Sequence, residues 1–129
     1  MDVRSGYYYT KEHEWISIEG NKAKVGITDY AQHKLGDITF VDKPQIGKIL
    51  KQFDVLTGIE SVKAASDVYS PVSGKIIGFN SALENSPELI NKSPYDQGYI
   101  AEIEISNPSE IKNLMDANSY KEYLKGLEK

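Results

Sequence analysis

The run Gly58-Ile59-Glu60-Ser61-Val62-Lys63-Ala64-Ala65-Ser66-Asp67-Val68-Tyr69-Ser70-Pro71-Val72-Ser73-Gly74 organises the reading of the whole chain. Val55 to Val62 and Asp67 to Tyr69 are strand-like, Lys63-Ala64-Ala65 joins them, and Pro71 and Gly74 then break the chain. The pattern predicts a β-hairpin over about 55–70 with a lysine at its apex. Val62 and Ala64 are β-branched or small, so the amine between them protrudes with little steric cover, as a lysine-modifying enzyme requires. A lone lysine is ordinarily a solvated surface cation, and Pro71 and Gly74 are ordinary turn punctuation. The specificity lies in the whole string.

On either side of this hairpin the pattern remains that of short strands. Upstream, Trp15-Ile16-Ser17-Ile18 and Lys22-Ala23-Lys24-Val25-Gly26-Ile27 alternate with period two around the turn Glu19-Gly20-Asn21, which predicts a second hairpin. Tyr7-Tyr8-Tyr9 reads as an edge strand or the packed entry to a sandwich. Thr28 is placed to cap a helix from Asp29 to Leu35, stopped by Gly36, and Asp37 to Asp42 returns to a strand that finishes near Pro44. Downstream, Lys75 to Phe79 is a strand, and Asn80 to Asn91 is irregular with one helical turn broken at Pro87. Tyr99 to Ile105 alternates again, with Tyr99, Ala101, Ile103 and Ile105 on one face and Ile100, Glu102 and Glu104 on the other. Asn107-Pro108-Ser109-Glu110 opens a C-terminal helical segment over about 108–125. A weak point at Ala117-Asn118-Ser119 predicts a second short helix from Tyr120 to Lys125. Many strands followed by a helical end favour a mainly β sandwich or flattened barrel. No low-complexity linker divides the chain, so residues 1–129 are expected to form a single domain.

Composition narrows the function. The 129 residues are 40% hydrophobic and 26% charged, which argues against wholesale disorder. No apolar run is long enough to span a membrane, and Met1 to Gly6 lacks the apolar stretch of a secretory signal. With no cysteine, thiolate nucleophiles, disulfides and most structural zinc sites are excluded. The net charge is −4, the lysines are scattered among carboxylates, and Arg4 is the one arginine, so no nucleic-acid partner is expected. His13 and His33 lack metal-pair spacing, so no metal site is expected. No phosphate loop or nucleophile elbow is present, and Ser61 stands two positions before Lys63 rather than at Ser-x-x-Lys spacing. No catalytic residue emerges. A binding or carrier module is the leading class.

The lysine string resembles that of the glycine cleavage system H proteins, a family of lipoyl carriers. The resemblance extends through Tyr9-Thr10-Lys11-Glu12-His13-Glu14-Trp15, Val25 to Gln32, Leu35-Gly36-Asp37 and Phe40-Val41-Asp42 with Pro44. It continues through Asn80, Leu83, Ser86 to Asn91 and Pro94-Tyr95, then Leu114 to Ala117, Tyr120 and Tyr123-Leu124, covering Tyr7 to Leu124. It implies a lipoyl-domain-like barrel-sandwich hybrid and a lipoate joined by an amide to Nζ of Lys63. The cofactor would then bring the sulfur chemistry that a cysteine-free chain lacks. The implied role is a non-catalytic shuttle. It would carry an aminomethyl group from glycine decarboxylase to a tetrahydrofolate-dependent aminomethyltransferase, and electrons to dihydrolipoamide dehydrogenase.

By the same resemblance, Glu60, Ser61, Val62 and Ala64 present Lys63 to a lipoate ligase or lipoyl transferase. Glu14 and Asp67 match acidic positions of an arm cleft, where carboxylates would favour a cationic amine. A monomer in the cytoplasm, or in an organelle matrix, is implied. A lipoate-relay carrier that donates its arm to other enzymes would use the same hairpin, and a cofactor-free binding module is a further alternative. A biotin carrier usually holds its lysine between methionines, which Val62 and Ala64 do not match. Four departures from the family pattern stand out. Phe53 replaces a common glycine and, because phenylalanine disfavours positive φ, predicts a turn built differently. Lys43 stands for leucine and Tyr99 for tryptophan, and Lys34 adds a cation that would weaken binding of an aminomethyl cation in the cleft.

Overall fold

The computed structural model describes residues 1–127; residues 128 and 129, the end of the expected domain, lie outside the described residues. Nine strands run in chain order: β1 (Tyr8–Tyr9), β2 (Glu14–Glu19), β3 (Lys22–Ile27), β4 (Ile38–Val41), β5 (Ile49–Leu50), β6 (Val55–Ser61), β7 (Ala65–Tyr69), β8 (Gly74–Phe79) and β9 (Ala101–Ile105). They form a six-stranded sheet, β1-β2-β3-β9-β8-β5, and a three-stranded sheet, β4-β6-β7. Every pairing is antiparallel. Ile16, Val25, Ile76 and Ile103 of the larger sheet share one buried cluster with Ile38, Val41, Leu56, Ile59 and Val68 of the smaller. This is the mainly β sandwich that the alternating pattern predicts, since period-two strands bury one face each.

The β2–β3 hairpin turns where expected, with Glu19 opposite Lys22 and Gly20 at φ 65°. Trp15 lies opposite Gly26, and a Cβ at position 26 would stand 2.7 Å from the indole. Glycine is required there by close approach. The fully buried indole N–H donates to the carbonyls of Ile27 and Pro94, both at 3.0 Å. Thr28 caps helix α1 (Asp29–Leu35) by accepting from Ala31 N at 3.2 Å, and Gly36 ends it at φ 76°. Tyr8–Tyr9 is an edge strand, as one of its two readings held.

Five details differ from expectation. The two-residue strand β5 is too short to carry a periodic signal. Asn80 to Asn91 folds into two short helices, α2 (Ala82–Asn85) and α3 (Leu89–Lys92), anchored by buried Leu83 and Ile90. Ile100 is fully buried, because β9 begins at Ala101 and the preceding backbone is held by Val25 and Asn80 instead. Finally, Pro108–Asn113 is a 3₁₀ turn in which Asn107 makes no side-chain cap. Glu110 reaches away to accept from Ser73 N and Oγ, both at 2.7 Å. Helix α4 (Ala117–Leu127) then starts at the supposed weak point, because Asp116 accepts from Ser119 N at 2.8 Å and supplies the cap. Its buried face, Ala117, Tyr120 and Leu124, packs with Tyr9, Trp15 and Tyr95 in a second, aromatic cluster.

Candidate functional site

The β6–β7 hairpin places Ile59 opposite Ser66 and Glu60 opposite Ala65, leaving Val62-Lys63-Ala64 as the tip. The tip sits one residue earlier than the sequence pattern suggested, since Ala65 belongs to the ladder. Ser61 closes it. Its Oγ accepts from Lys63 N and Ala64 N, both at 3.2 Å, and its own N–H donates to Ala64 O at 2.8 Å. A serine is suited to this because one hydroxyl oxygen has two acceptor sites for turn amides that the ladder leaves unpaired. Val62 N donates to Asp37 O at 3.0 Å, which docks the tip on the segment leaving α1. A Cβ at Gly36 would stand 3.3 Å from Val62 and 3.5 Å from Lys63 Cε, so the lysine stem runs past a glycine. Lys63, Val62 and Ala64 are exposed, and no ion pair to Lys63 is found among the described residues.

Glu60 and Asp67 are exposed on the outer face of the small sheet. They line a shallow depression of about 450 Å³ with Asp42, Gly58 and Ala65. Glu14 lies elsewhere. It is 2% exposed at the floor of a pocket of about 520 Å³, bounded by Thr10, Lys11, Glu12, Phe53, Tyr69 and Met115 among others. Thr10 Oγ1 donates to Glu14 Oε1, and Tyr69 N donates to Oε2 at 3.2 Å. Burial pushes this carboxyl up to about 7 against the opposing pull of those two hydrogen bonds, with Glu12 nearby adding to the rise. The two carboxylates expected in one cleft therefore face different depressions.

Phe53 corrects another expectation. Its φ is 70°, so the turn takes the left-handed form a glycine would take rather than a different one. Its neighbours impose the geometry: Phe53 N donates to Ser70 O at 2.7 Å, and Lys51 N donates to Asp54 Oδ2 at 2.8 Å. Lys34 sits over the Tyr30 ring at 5.6 Å and does not line the Glu14 pocket, so the cation does not confront that carboxyl. Tyr99 packs on the aromatic cluster and receives Lys24 Nζ over its ring at 4.7 Å; Lys43 is exposed. Thr10, Phe53, Tyr69 and Met115 were not legible as pocket residues. Only Thr10, four positions before Glu14, carried a local signal.

Two antiparallel sheets with a lysine at the tip of an exposed hairpin make this a lipoyl-domain-like β-sandwich. The profile of the family described as glycine cleavage H-protein matches residues 7–127. The glycine cleavage system H protein of Coprothermobacter proteolyticus is 53% identical over 125 residues, covering 96% of this chain and 98% of that one. The probable glycine cleavage system H protein of Pyrococcus furiosus is 52% identical over 127 residues, covering 97% of this chain and 94% of that one. A crystal structure of a glycine cleavage system H protein from Mycobacterium marinum superposes with a TM-score of 0.82 at 29% identity, covering 98% of this chain and all of that one. The chain belongs to the glycine cleavage H-protein family.

Proposed function

We propose that this chain is the lipoyl-bearing, non-catalytic shuttle of the glycine cleavage system, with Lys63 as the attachment residue. It would take an aminomethyl group from glycine decarboxylase to a tetrahydrofolate-dependent aminomethyltransferase and electrons to dihydrolipoamide dehydrogenase. The observation that carries the reading is the tip itself: an exposed amine without an ion pair among the described residues, on a turn closed by Ser61 hydrogen bonds. These residues fit an amide-linked lipoyl group, which when bound supplies a disulfide–dithiol couple to a chain that has no sulfur nucleophile of its own. Ser61 fixes the turn, Val62 and Ala64 leave Nζ uncovered, and Glu60 offers the ligase or transferase an exposed carboxylate on the same hairpin. Tethering at Nζ would raise the arm's effective concentration at each enzyme that docks.

The Glu14 pocket is the proposed resting place of the arm's loaded end. A carboxyl held near 7 exchanges its proton at neutral pH and, once ionised, favours a cation. Asp67 is proposed as a second carboxylate facing the arm from the hairpin's outer surface. The chain is further proposed to act as one domain and as a monomer, in the compartment of its enzyme partners, the cytoplasm or an organelle matrix.

The test is intact mass and peptide mapping before and after incubation with lipoate, ATP and a lipoate ligase. A lipoyl increment on the peptide holding Lys63, absent in Lys63→Arg, is the expected result. No increment on folded protein, with the ligase active on a control carrier, would replace this reading with a cofactor-free binding module. Reconstitution with the three enzymes then separates glycine cleavage from lipoate relay.

A further inference from the structure

The chain carries two non-glycine residues with positive φ among those described, and one of them, Phe53, lines the Glu14 pocket. Phe53 has φ 70°; His13, at 72°, turns its ring to Tyr30, Tyr120 and Tyr123 instead. Left-handed backbone costs an L-residue roughly 1–2 kcal/mol, and such outliers cluster where a site requires them. At Phe53 the surrounding structure dictates the conformation. Besides the bonds from Phe53 N and Lys51 N, Gln52 N donates to Ser73 Oγ at 2.9 Å, and Gln52 Nε2 donates to Pro71 O and Glu110 O. Any residue at 53 would be left-handed, and glycine would adopt that form without strain. Core packing does not account for the phenylalanine either, because it is 50% exposed. What it does contribute is a ring on the pocket wall, with Tyr69, Tyr9 and Met115 as the other aromatic or apolar side chains, Lys11 and Glu12 as charged ones of opposite sign, and the Glu14 carboxyl buried.

We infer that Phe53 is a specificity-determining residue of the Glu14 pocket, an aromatic wall that fits the pocket to a primary ammonium carried on an apolar stem. This rests on the reading of that pocket as the place of the arm's loaded end. The chemistry is consistent in each part. An aromatic face attracts a cation and lies against methylene groups equally well. A carboxylate below pairs with the ammonium.

The probe is n-pentylammonium chloride, titrated near pH 8 into the unmodified chain and followed by the amide resonances of Tyr69 and Thr10. Wild type is expected to give a saturable shift. Phe53→Gly should weaken binding about fivefold while leaving the urea midpoint unchanged or higher, Phe53→Tyr should bind within about twofold of wild type, and Glu14→Gln should abolish the shift. If Glu14→Gln loses binding and Phe53→Gly does not, the pocket reading stands and the role of Phe53 is overturned. A lower urea midpoint in Phe53→Gly would likewise overturn it, by showing the ring to be a packing element. If wild type shows no saturable shift, or Glu14→Gln binds as well as wild type, the pocket reading itself falls and the inference with it.

Discussion

Glu14 should make this protein less stable as pH rises through neutrality, and the size of the effect follows from its burial. In the folded chain the carboxyl is pushed from the ordinary 4.5 to about 7; in the unfolded chain it returns to the ordinary value. Between those two values the folded state holds the proton that the unfolded state has released, so stability falls with rising pH. The extra stability is complete below about pH 4.5 and is lost as pH passes through 7. At about 1.4 kcal/mol for each tenfold change in acidity, the loss amounts to about 3 kcal/mol. His13, adjacent in sequence and lowered by burial, works the other way: its contribution grows as pH rises toward the ordinary histidine value. Comparing wild type with Glu14→Gln cancels that term, since both retain His13.

The assay is urea unfolding at several pH values from 5 to 8, read by the fluorescence of Trp15, the single tryptophan, which is fully buried. The variant keeps one acceptor oxygen and puts an NH2 in place of the other, which alters the bonds to Thr10 and Tyr69, so its absolute stability at any one pH is not the quantity of interest. The difference between the two pH profiles is. Wild type should lose about 2.5 kcal/mol relative to Glu14→Gln across that range, the rest of the effect lying below pH 5. Parallel profiles would refute the claim that burial governs this carboxyl.

Other perturbations address the scaffold. Lys63→Arg should leave the urea midpoint unchanged while removing every acyl increment from the peptide map, because Nζ makes no ion pair among the described residues. Gly26→Ala should cost about 2 kcal/mol or more in urea unfolding, since its Cβ would stand 2.7 Å from a fully buried indole; an unchanged midpoint would mean that the strand pair can open without penalty. Thr28 both caps α1 and bonds Tyr120 Oη at 2.7 Å, so Thr28→Ala should cost about 2 kcal/mol. Combining it with Tyr120→Phe should cost less than the two separate losses together, and strict additivity in that cycle would show that the hydroxyls do not communicate.

Local chemistry was legible from the chain where it acts within a few residues. Thr28 and Gly36 bound α1 at the residues expected, because a cap and a left-handed stop depend on neighbours three or four positions away. The hairpin with Lys63 at its tip was likewise legible, since period-two strands on either side of a small-residue turn leave few alternatives. The C-terminal helices were less so. Asn107 and Asp116 are both competent caps by type, and only the engagement of Glu110 with Ser73 and of Asp116 with Ser119 shows which one starts an α-helix.

Phe53 marks the same boundary from the other side. Propensity argued against a left-handed phenylalanine, but the bond to Ser70 and the brace of Asp54 on Lys51 outweigh a strain of about 1–2 kcal/mol. The Glu14 pocket belongs wholly to the tertiary level. Residues near 10, 53, 69 and 115 meet there because β1, the β5–β6 turn, β7 and the approach to α4 converge in space. The sequence alone therefore specified the longer strands, the α1 caps and the lysine on its hairpin, all of which short-range sterics and periodicity control. Which carboxyl is buried, what surrounds it and how strongly it holds its proton depend on contacts between residues as far apart as Glu14 and Tyr69, and those exist only once the sheets have packed.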